Sequence, residues 1–319
     1  MKERLLGLAI ALGVVGSAFS CKHNDGDSVV VTGEGVRLPS EAIDQDPLAL
    51  LPSKPVVLGV VDVPAFLASP LGNEINRLAA KYIPLGQETG FVLQRDLKRL
   101  VGGAYSLSGV DVVAVAQGNF NPDLIRSAVE RNVKTPGGLQ LVHSKYAGND
   151  IFTAGNVGFT VVTLHTMLVG NETGMRRALD RIRDNRLARE VPEWMTKLIE
   201  TPQAATVLAG DVATEPRIAA AARMAPFLGG LSSFRIVGNF QPPGINVAGT
   251  LTYADAPSAA AGANAIRGLA QMSAITAVLS MFGLGAPLQN LQVENHDRDT
   301  SFVTSTDAES LARLLAQVM

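Results

Sequence analysis

The chain has 319 residues, with 27 Lys and Arg against 29 Asp and Glu, so its formal net charge is −2. Hydrophobic residues make up 47% and charged residues 18%, which excludes a disordered acidic polymer. The near-neutral balance excludes the basic field of a typical nucleic-acid-binding protein. One Cys and four His exclude an internal disulfide framework and a cysteine-based zinc cage.

The first twenty residues have the order of a secretory signal. A short basic start is followed by an uncharged apolar run over residues 5–20 that ends in small residues. This run is short for a membrane span, which needs roughly 20 apolar residues. Residues 1–20 are therefore predicted to be a signal peptide.

The end of this signal carries the only Cys of the chain. The sequence Ala18-Phe19-Ser20-Cys21 resembles the lipobox of bacterial lipoproteins, in which the cysteine is acylated and becomes the mature N-terminus. The resemblance implies that Cys21 is lipidated and anchors the protein to a membrane. Lys22 fits sorting to the outer membrane of a Gram-negative bacterium. The alternative is an ordinary cleavable signal followed by a stray thiol.

The next segment and the first part of the body differ in composition. Residues 21–53 are polar and rich in Gly and Pro, which predicts a flexible tether. The β-branched run over residues 56–63 then predicts a strand. Ser69 and Pro70 predict the start of an amphipathic helix, and a short second helix is predicted over residues 95–101.

The rest of the first half reads as strands and two capped helices. Strands are predicted over residues 105–109 and 112–118, followed by a helix that begins at Asn121 and Pro122. Short β-branched runs separated by Gly predict an antiparallel meander over residues 139–169. Asn171 is predicted to begin the next helix.

The second half begins after Pro202 with a strand pattern over residues 205–212 that is similar to residues 56–63. The remaining predicted elements are a helix near 215–224, strands at 233–240 and 245–253, Ala-rich helix at 256–282, strands at 291–296 and 300–304, and a last helix with a capping box at 306–309. The predicted domains are therefore 55–201 and 202–319.

A short motif occurs once in each half. Residues 118–122 and 238–242 both read G-N-F-x-P, each just after a β-branched run. The two occurrences indicate either an internal duplication or a common turn that arose twice. The predicted fold is α+β, with two similar lobes that each have an antiparallel sheet and helices packed on one face.

Several short motifs of the body are similar to those of a known group. They are Arg95-Asp96 before a Gly pair, the G-N-F-x-P turn, Tyr146-x-Gly148, and Leu168-Val169-Gly170 before an Arg-rich helix. With these motifs, residues 55–319 look like uncharacterised two-lobed lipoproteins of Gram-negative bacteria. That resemblance implies a fold and a location but supplies no catalytic residues.

Chemistry-bearing motifs are sparse. The sequence contains no G-x-S-x-G, H-E-x-x-H, Walker or C-x-x-C motif. His296, Asp297 and Asp299 could hold a metal or supply a base with its orienting partner. The alternative is a solvated hairpin turn, for which Asn, Asp and Ser are favoured residues.

An Arg-rich stretch offers a second candidate. Arg176, Arg177, Arg181 and Arg183 could contact anionic lipid headgroups, because guanidinium groups match phosphate oxygens. The same helix carries Glu172 and Asp180 at pairing distance in sequence, so the alternative is a self-paired, solvated face.

Residues 268–293 contain no charged residue. One interpretation is the wall of a cavity for a hydrophobic ligand, with six candidate wall residues: Met272, Ile275, Val278, Leu279, Met281 and Phe282. The other is a buried core helix.

The sequence is thus most consistent with a lipid-anchored, non-enzymatic envelope protein that binds or scaffolds. Its expected partners are the membrane, through Cys21, and an envelope protein or lipid, with no cofactor and no nucleic acid. A periplasmic carrier or chaperone for a hydrophobic, lipid-like ligand is the first alternative, and a hydrolase or metal enzyme around His296 is the second.

Overall fold

The computed structural model describes residues 38–307, except 70–71, 73–85, 87–88, 108–110, 132–133, 135–137, 139, 224, 242–243 and 272–289. Every strand pair in the described residues is antiparallel, so the predicted α+β class is confirmed. No helix among these residues has the length and apolar character needed to cross a membrane.

The described helices are α1 (Ser40–Gln45), α2 (Pro47–Leu50), α3 (Val63–Ala68), α4 (Leu93–Asp96), α5 (Pro122–Glu130), α6 (Glu172–Arg183), α7 (Glu193–Ile199), α8 (Pro216–Ala221) and α9 (Ala256–Gln271). The strands are β1 (Val57–Asp62), β2 (Leu97–Ser106), β3 (Asp111–Gly118), β4 (Val142–Tyr146), β5 (Asn149–Ala154), β6 (Val157–Val161), β7 (Thr166–Gly170), β8 (Thr206–Asp211), β9 (Leu231–Asn239), β10 (Gly244–Tyr253), β11 (Gln292–His296) and β12 (Asp299–Asp307).

The chain forms two compact units. Unit 1 contains Val56–Asn76 together with the residues from Glu193 onward, and unit 2 contains the described residues up to Pro55 together with Arg77–Pro192. The predicted boundary between residues 201 and 202 differs from this division, because β1 and α3 group with the C-terminal residues. Of the strands that the structure describes, each unit contains six.

Unit 1 has the strand order β11-β12-β10-β9-β8-β1. Helix α9 packs on β10, β11 and β12, where Tyr253 and Thr300 are fully buried. The hydroxyl of Thr300 donates to the carbonyl of Ala259 at 3.0 Å. Helix α7 packs on β8 and β1 through buried residues that include Met195.

The two strands that were matched on sequence pair with each other. Strands β1 and β8 are antiparallel about the pair Gly59 and Leu208. The Asp62 N–H donates to Ala205 and the Asp211 N–H donates to Val56, both at 2.8 Å. The central pair, Gly59 and Leu208, has the same spacing of 149 residues as the matched Asp62 and Asp211, so a two-fold relation between the two segments places equivalent residues opposite each other.

Unit 2 has the strand order β2-β3-β7-β6-β5-β4, with α6 packed on β3, β6 and β7. Its core includes the fully buried side chains of Phe159, Leu168 and Leu179. The side chain of Asn171 accepts hydrogen bonds from Gly174 at 3.3 Å and from Val112 at 3.0 Å. One amide thus caps α6 and fixes the helix to β3.

The tether predicted over residues 21–53 is wrong for its described part. Residues 40–50 form α1 and α2, and Leu48, Leu50 and Leu51 are buried. The Asp44 carboxylate accepts hydrogen bonds from two Thr hydroxyls of unit 2, on Thr163 and Thr166. These apolar and polar contacts hold the segment in place although its composition resembles that of a linker.

The helix predicted over residues 95–101 is also wrong, because α4 ends at Asp96 and β2 begins at Leu97. The Gly pair that follows these residues, Gly102 and Gly103, lies inside β2. A Cβ on Gly102 would lie 2.9 Å from the Cβ of Ala114 on the paired strand, so Gly permits this close strand contact.

The motif and the last helix give two further differences. The first G-N-F-x-P leads into α5, whereas at the second β9 ends at Asn239 and β10 begins at Gly244, so the second motif lies between two strands. The capping box predicted at 306–309 is wrong at its start, since β12 continues to Asp307; residues 308–319 lie outside the described part.

Candidate functional site

A pocket of about 260 Å³ opens in unit 2 between residues 89–96 and the residues that follow β3. The rings of Phe91 and Phe120 stack at a centroid distance of 6.1 Å, and Ile125 is buried beside them. Leu124 is 42% exposed and also lines the pocket. We call this site the Phe91–Phe120 pocket.

The two charged side chains that line the pocket, Arg95 and Asp96, form an ion pair with each other. The buried Asp96 carboxylate accepts two hydrogen bonds from the guanidinium of Arg95, at 2.6 and 2.7 Å, and one from the N–H of Val92 at 2.6 Å. The hydrogen bonds from Arg95 lower the pKa of Asp96 despite its burial. The ion pair between Arg95 and Asp96 therefore stabilises the turn over residues 92–96.

The turn and the motif after β3 fit together through one close backbone contact. The N–H of Asn119 donates to the carbonyl oxygen of Asp96 at 2.7 Å. A Cβ on Gly118 would lie 1.9 Å from that oxygen, so only Gly fits there. Asn121 then caps α5 by accepting from the N–H of Leu124 at 3.0 Å.

Two motifs singled out on sequence, Arg95-Asp96 and G-N-F-x-P, are thus brought together at this pocket. An apolar floor with neutralised polar neighbours suits an uncharged or aliphatic group. The pocket itself was missed on sequence. Its local signal would have been Phe91 and Phe120, each next to one of the two motifs.

A second, more polar pocket of about 180 Å³ in unit 2 includes Asp150. The Asp150 carboxylate lies 2.9 Å from His143 Nε2, 3.1 Å from Arg126 Nη2 and 3.7 Å from Lys145 Nζ. Burial alone would raise the pKa of Asp150, but the hydrogen bonds from His143 and Arg126 outweigh it and lower that pKa. This cluster ties α5 to the β4–β5 hairpin.

The Arg residues of α6 lie on one helix but do not form a free cationic surface. Arg181 has a side chain only 2% exposed, and it donates to the carbonyls of Ala49 at 3.1 Å and Ala188 at 2.6 Å. It also pairs with Glu190 at 2.8 Å. The expectation that Arg181 contacts lipid headgroups is therefore not supported, because its guanidinium is buried inside unit 2.

The other three predicted Arg residues are paired with carboxylates of the chain: Arg176 with Glu172, Arg177 with Asp111 and Arg183 with Asp180. Two of them also stack on rings. Arg177 lies 4.4 Å from the ring centroid of Tyr105, and Arg176 lies 4.7 Å from that of Tyr146. Burial raises the pKa of Tyr105. These contacts fit the self-paired alternative.

The His296 candidate lies in the β11–β12 hairpin. His296 and Asp299 are cross-strand partners, and Asp297 occupies the turn with φ of 49°. The Asp299 carboxylate accepts a hydrogen bond from the hydroxyl of Thr252 at 2.6 Å. Within the described residues, no group of three or more His, Cys, Asp or Glu side chains is placed to hold a metal ion.

Two predicted sites lie outside the described residues. These are the lipidation site Cys21 and the candidate hydrophobic wall of Met272, Ile275, Val278, Leu279, Met281 and Phe282.

Comparison with known proteins gives a fold and no family. No protein-family model matches the sequence, and no curated protein matches it significantly. Among solved structures, the chain is similar to crystal form III of the treponemal protein TP0453, with a TM-score of 0.54 and 12% identity over 85% of this chain and 98% of that chain. Crystal form I gives a TM-score of 0.52 and 13% identity over 86% and 97%. At this low identity, the likeness shows that the chain shares the fold of TP0453.

Proposed function

We propose that the protein is a lipid-anchored protein of the Gram-negative cell envelope whose folded body binds or scaffolds rather than catalyses. In this proposal residues 1–20 direct export and Cys21 carries the lipid at the outer membrane. The lipobox-like sequence supports the anchor. The structural observation that carries the proposal is the firm attachment of the first described residues to unit 2.

Three sets of hydrogen bonds contribute to this attachment. Asp44 is hydrogen bonded to two Thr hydroxyls, Arg181 donates to Ala49, and the hydroxyl of Tyr105 donates to Pro52 at 3.0 Å. A segment bound in this way transmits the position of an anchor to the sheet of unit 2. Seventeen residue steps separate Cys21 from residue 38, so an extended chain would hold unit 2 within about 60 Å of the membrane.

Metabolic labelling with an alkyne fatty acid tests the anchor. We expect label on the wild-type chain and its recovery in the membrane fraction, with no label on Cys21→Ser. The matched control, Cys21→Ser with Ser28→Cys, keeps one thiol near the same place and should also stay unlabelled. Label on either variant, or a wild-type chain found only in the soluble fraction, would contradict the proposal.

A second candidate function, a carrier of a hydrophobic ligand, is favoured by the Phe91–Phe120 pocket. Native mass spectrometry before and after organic extraction should then show a bound hydrophobic molecule on the wild-type chain. Leu124→Asp should lose it, because a carboxylate would enter the apolar pocket. Val142→Asp, at an exposed position of β4, should keep it. A wild-type mass equal to that of the chain alone would rule out the carrier function.

We also propose that the two halves derive from one duplicated α+β lobe. The symmetric pairing of β1 and β8 supports this, and so does the chain order of the elements. In both halves a strand, at least one helix, two strands, a helix and further strands follow in that order.

A further inference from the structure

On one face of the sheet in unit 1, the described side chains of β9, β10, β12 and β11 are exposed or half-buried. Directly opposed residues of antiparallel strands point to the same side, and the side alternates along each strand. One cross-strand row on this side joins Val237, Ala248, Val303 and Gln292, and the next joins Arg235, Thr250, Ser301 and Glu294. Two more rows lie on the same side: Ser233, Thr252, Asp299 and His296 form one, and Asn239, Asn246 and Ser305 form the other. We call the side that carries these four rows the open face.

Burial separates the open face from the opposite side of the same strands. Val303 is 53% exposed, and Ala248 and Ser301 are also exposed. On the other side, Tyr253 and Thr300 are fully buried against α9. Val303 is thus an exposed apolar side chain with the small side chains of Ala248 and Ser301 beside it, and such a surface is suited to packing against another sheet face.

The charges on the open face are arranged so that the surface is complementary to itself. Arg235 on β9 and Glu294 on β11 lie at opposite ends of one row and are exposed, with the hydroxyls of Thr250 and Ser301 between them. Among the described residues, neither charge has an ion-pair partner. Arg235 instead lies 5.2 Å from the ring centroid of Trp194, at the border of the face.

We propose that the open face is an interface for a second copy of this chain, packed face to face about a two-fold axis that runs along the strands between β10 and β12. Such an axis exchanges the two ends of each row. Arg235 then faces the partner's Glu294, and Glu294 faces the partner's Arg235. Ala248 contacts the partner's Val303, and Asp299 faces the partner's Thr252, so the arrangement brings no like charges together.

The size of the face sets the expected strength. Four strands about 4.8 Å apart and four rows about 6.8 Å apart cover roughly 500 Å² per copy. The total, about 1,000 Å², is below the roughly 1,200 Å² of stable complexes, so the dimer is weak in solution. Confinement of both copies to one membrane would raise their effective concentration. The interface itself does not depend on the lipid anchor.

Charge reversal tests the two-fold arrangement. Sedimentation equilibrium of the Cys21→Ser chain up to about 500 μM should show a monomer–dimer equilibrium. Arg235→Glu and Glu294→Arg should each weaken the dimer about tenfold or more, because each places like charges at both symmetric contacts. An equimolar mixture of the two variants should restore association, since both contacts then join opposite charges.

The controls separate the interface from folding. Lys134→Glu changes the charge of an exposed side chain of unit 2, which is not part of the open face, and should leave the dimer unchanged. Circular dichroism should show that each variant melts like the Cys21→Ser chain. A chain that remains monomeric at the highest concentration would overturn the proposal. A mixture of folded variants that associates no better than either variant alone would overturn it as well.

Discussion

Replacing Arg181 by Met tests how the first described residues are held. The change removes every donor of a buried guanidinium while keeping an unbranched side chain. It leaves the carbonyls of Ala49 and Ala188 without their donors, and it breaks the ion pair with Glu190. Because Ala49 lies in α2 and Ala188 lies in the loop after α6, both segments should loosen together.

The expected size of the effect follows from these contacts. Two hydrogen bonds from a charged donor are worth about 3–6 kcal/mol, and removing a buried charge returns part of that, so the net loss should be about 2–4 kcal/mol. Urea unfolding followed by circular dichroism measures the loss. Chymotrypsin should also cleave faster in residues 48–51, which are buried in the intact protein.

Arg186→Met is the matched control, because that side chain is 51% exposed and its one ion pair among the described residues is with Asp184 at 3.3 Å. Its stability and its cleavage by chymotrypsin should stay close to those of the wild-type chain. The reasoning is refuted if Arg181→Met is as stable and as resistant to cleavage as Arg186→Met.

Three further predictions concern backbone contact and pH. Gly118→Ala should lower the free energy of unfolding by more than about 2 kcal/mol, because its Cβ would clash with the Asp96 carbonyl oxygen. Gly148→Ala should lower it by only about 1 kcal/mol, because the surroundings of Gly148 are open and only its φ of +78° is unfavourable. Urea unfolding of the two variants measures the difference. The lowered pKa of Asp150 means that its contribution to stability is complete above the ordinary value of 3.8 and is lost as the pH falls through the folded value. Asp150→Asn should therefore reduce the drop in Tm between about pH 5 and pH 3, and an unchanged drop would contradict the assignment. Burial raises the pKa of Tyr253 from 10.0 to about 12, so its contribution is complete below pH 10.0 and is lost as the pH rises through about 12. Ultraviolet titration of the wild-type chain and Tyr253→Phe should give matching curves up to about pH 11, and a Tyr253-dependent rise below that pH would be inconsistent with this burial.

Strands and helix starts were predicted well where the signal is local. The β-branched runs at 112–118 and 205–212 are confirmed as β3 and β8. Asn121 and Asn171 do cap α5 and α6 through their side-chain oxygens. Such signals suffice because a cap or a run of β-branched residues acts within a few residues of itself.

Prediction failed where distant partners decide the conformation. Residues 97–101 are a strand because they pair with β3, although their charged and aliphatic residues also suit a helix. Residues 40–45 and 47–50 are helical, and Ile43 and residues 47–50 are buried, although the segment is rich in turn-forming residues. Their partners, Arg181 and the Thr163 hydroxyl, lie more than 110 residues away in sequence. Composition alone cannot identify such partners.

The candidate pocket shows the same limit. Its two motifs were visible on sequence, but their contact depends on the 2.7 Å hydrogen bond between Asn119 and Asp96. For the Arg residues of α6, the sequence indicated ion pairs only with carboxylates on the same helix. The partner of Arg177, Asp111, lies on β3, 66 residues earlier.

The position of β1 has a consequence for how the chain matures. Its ladder with β8 must wait for residue 206, so the edge of β1 that pairs with β8 has no partner for more than 140 residues of synthesis, or roughly 7–30 s. Throughout that time the run Val57-Leu58-Gly59-Val60-Val61 has high β-propensity and no charge, which is the composition of an aggregation-prone segment. A chain destined for export would thus carry an aggregation-prone strand close to its N-terminus. A chaperone that binds residues 57–61 until β8 has been synthesised would protect the chain while this strand is most exposed.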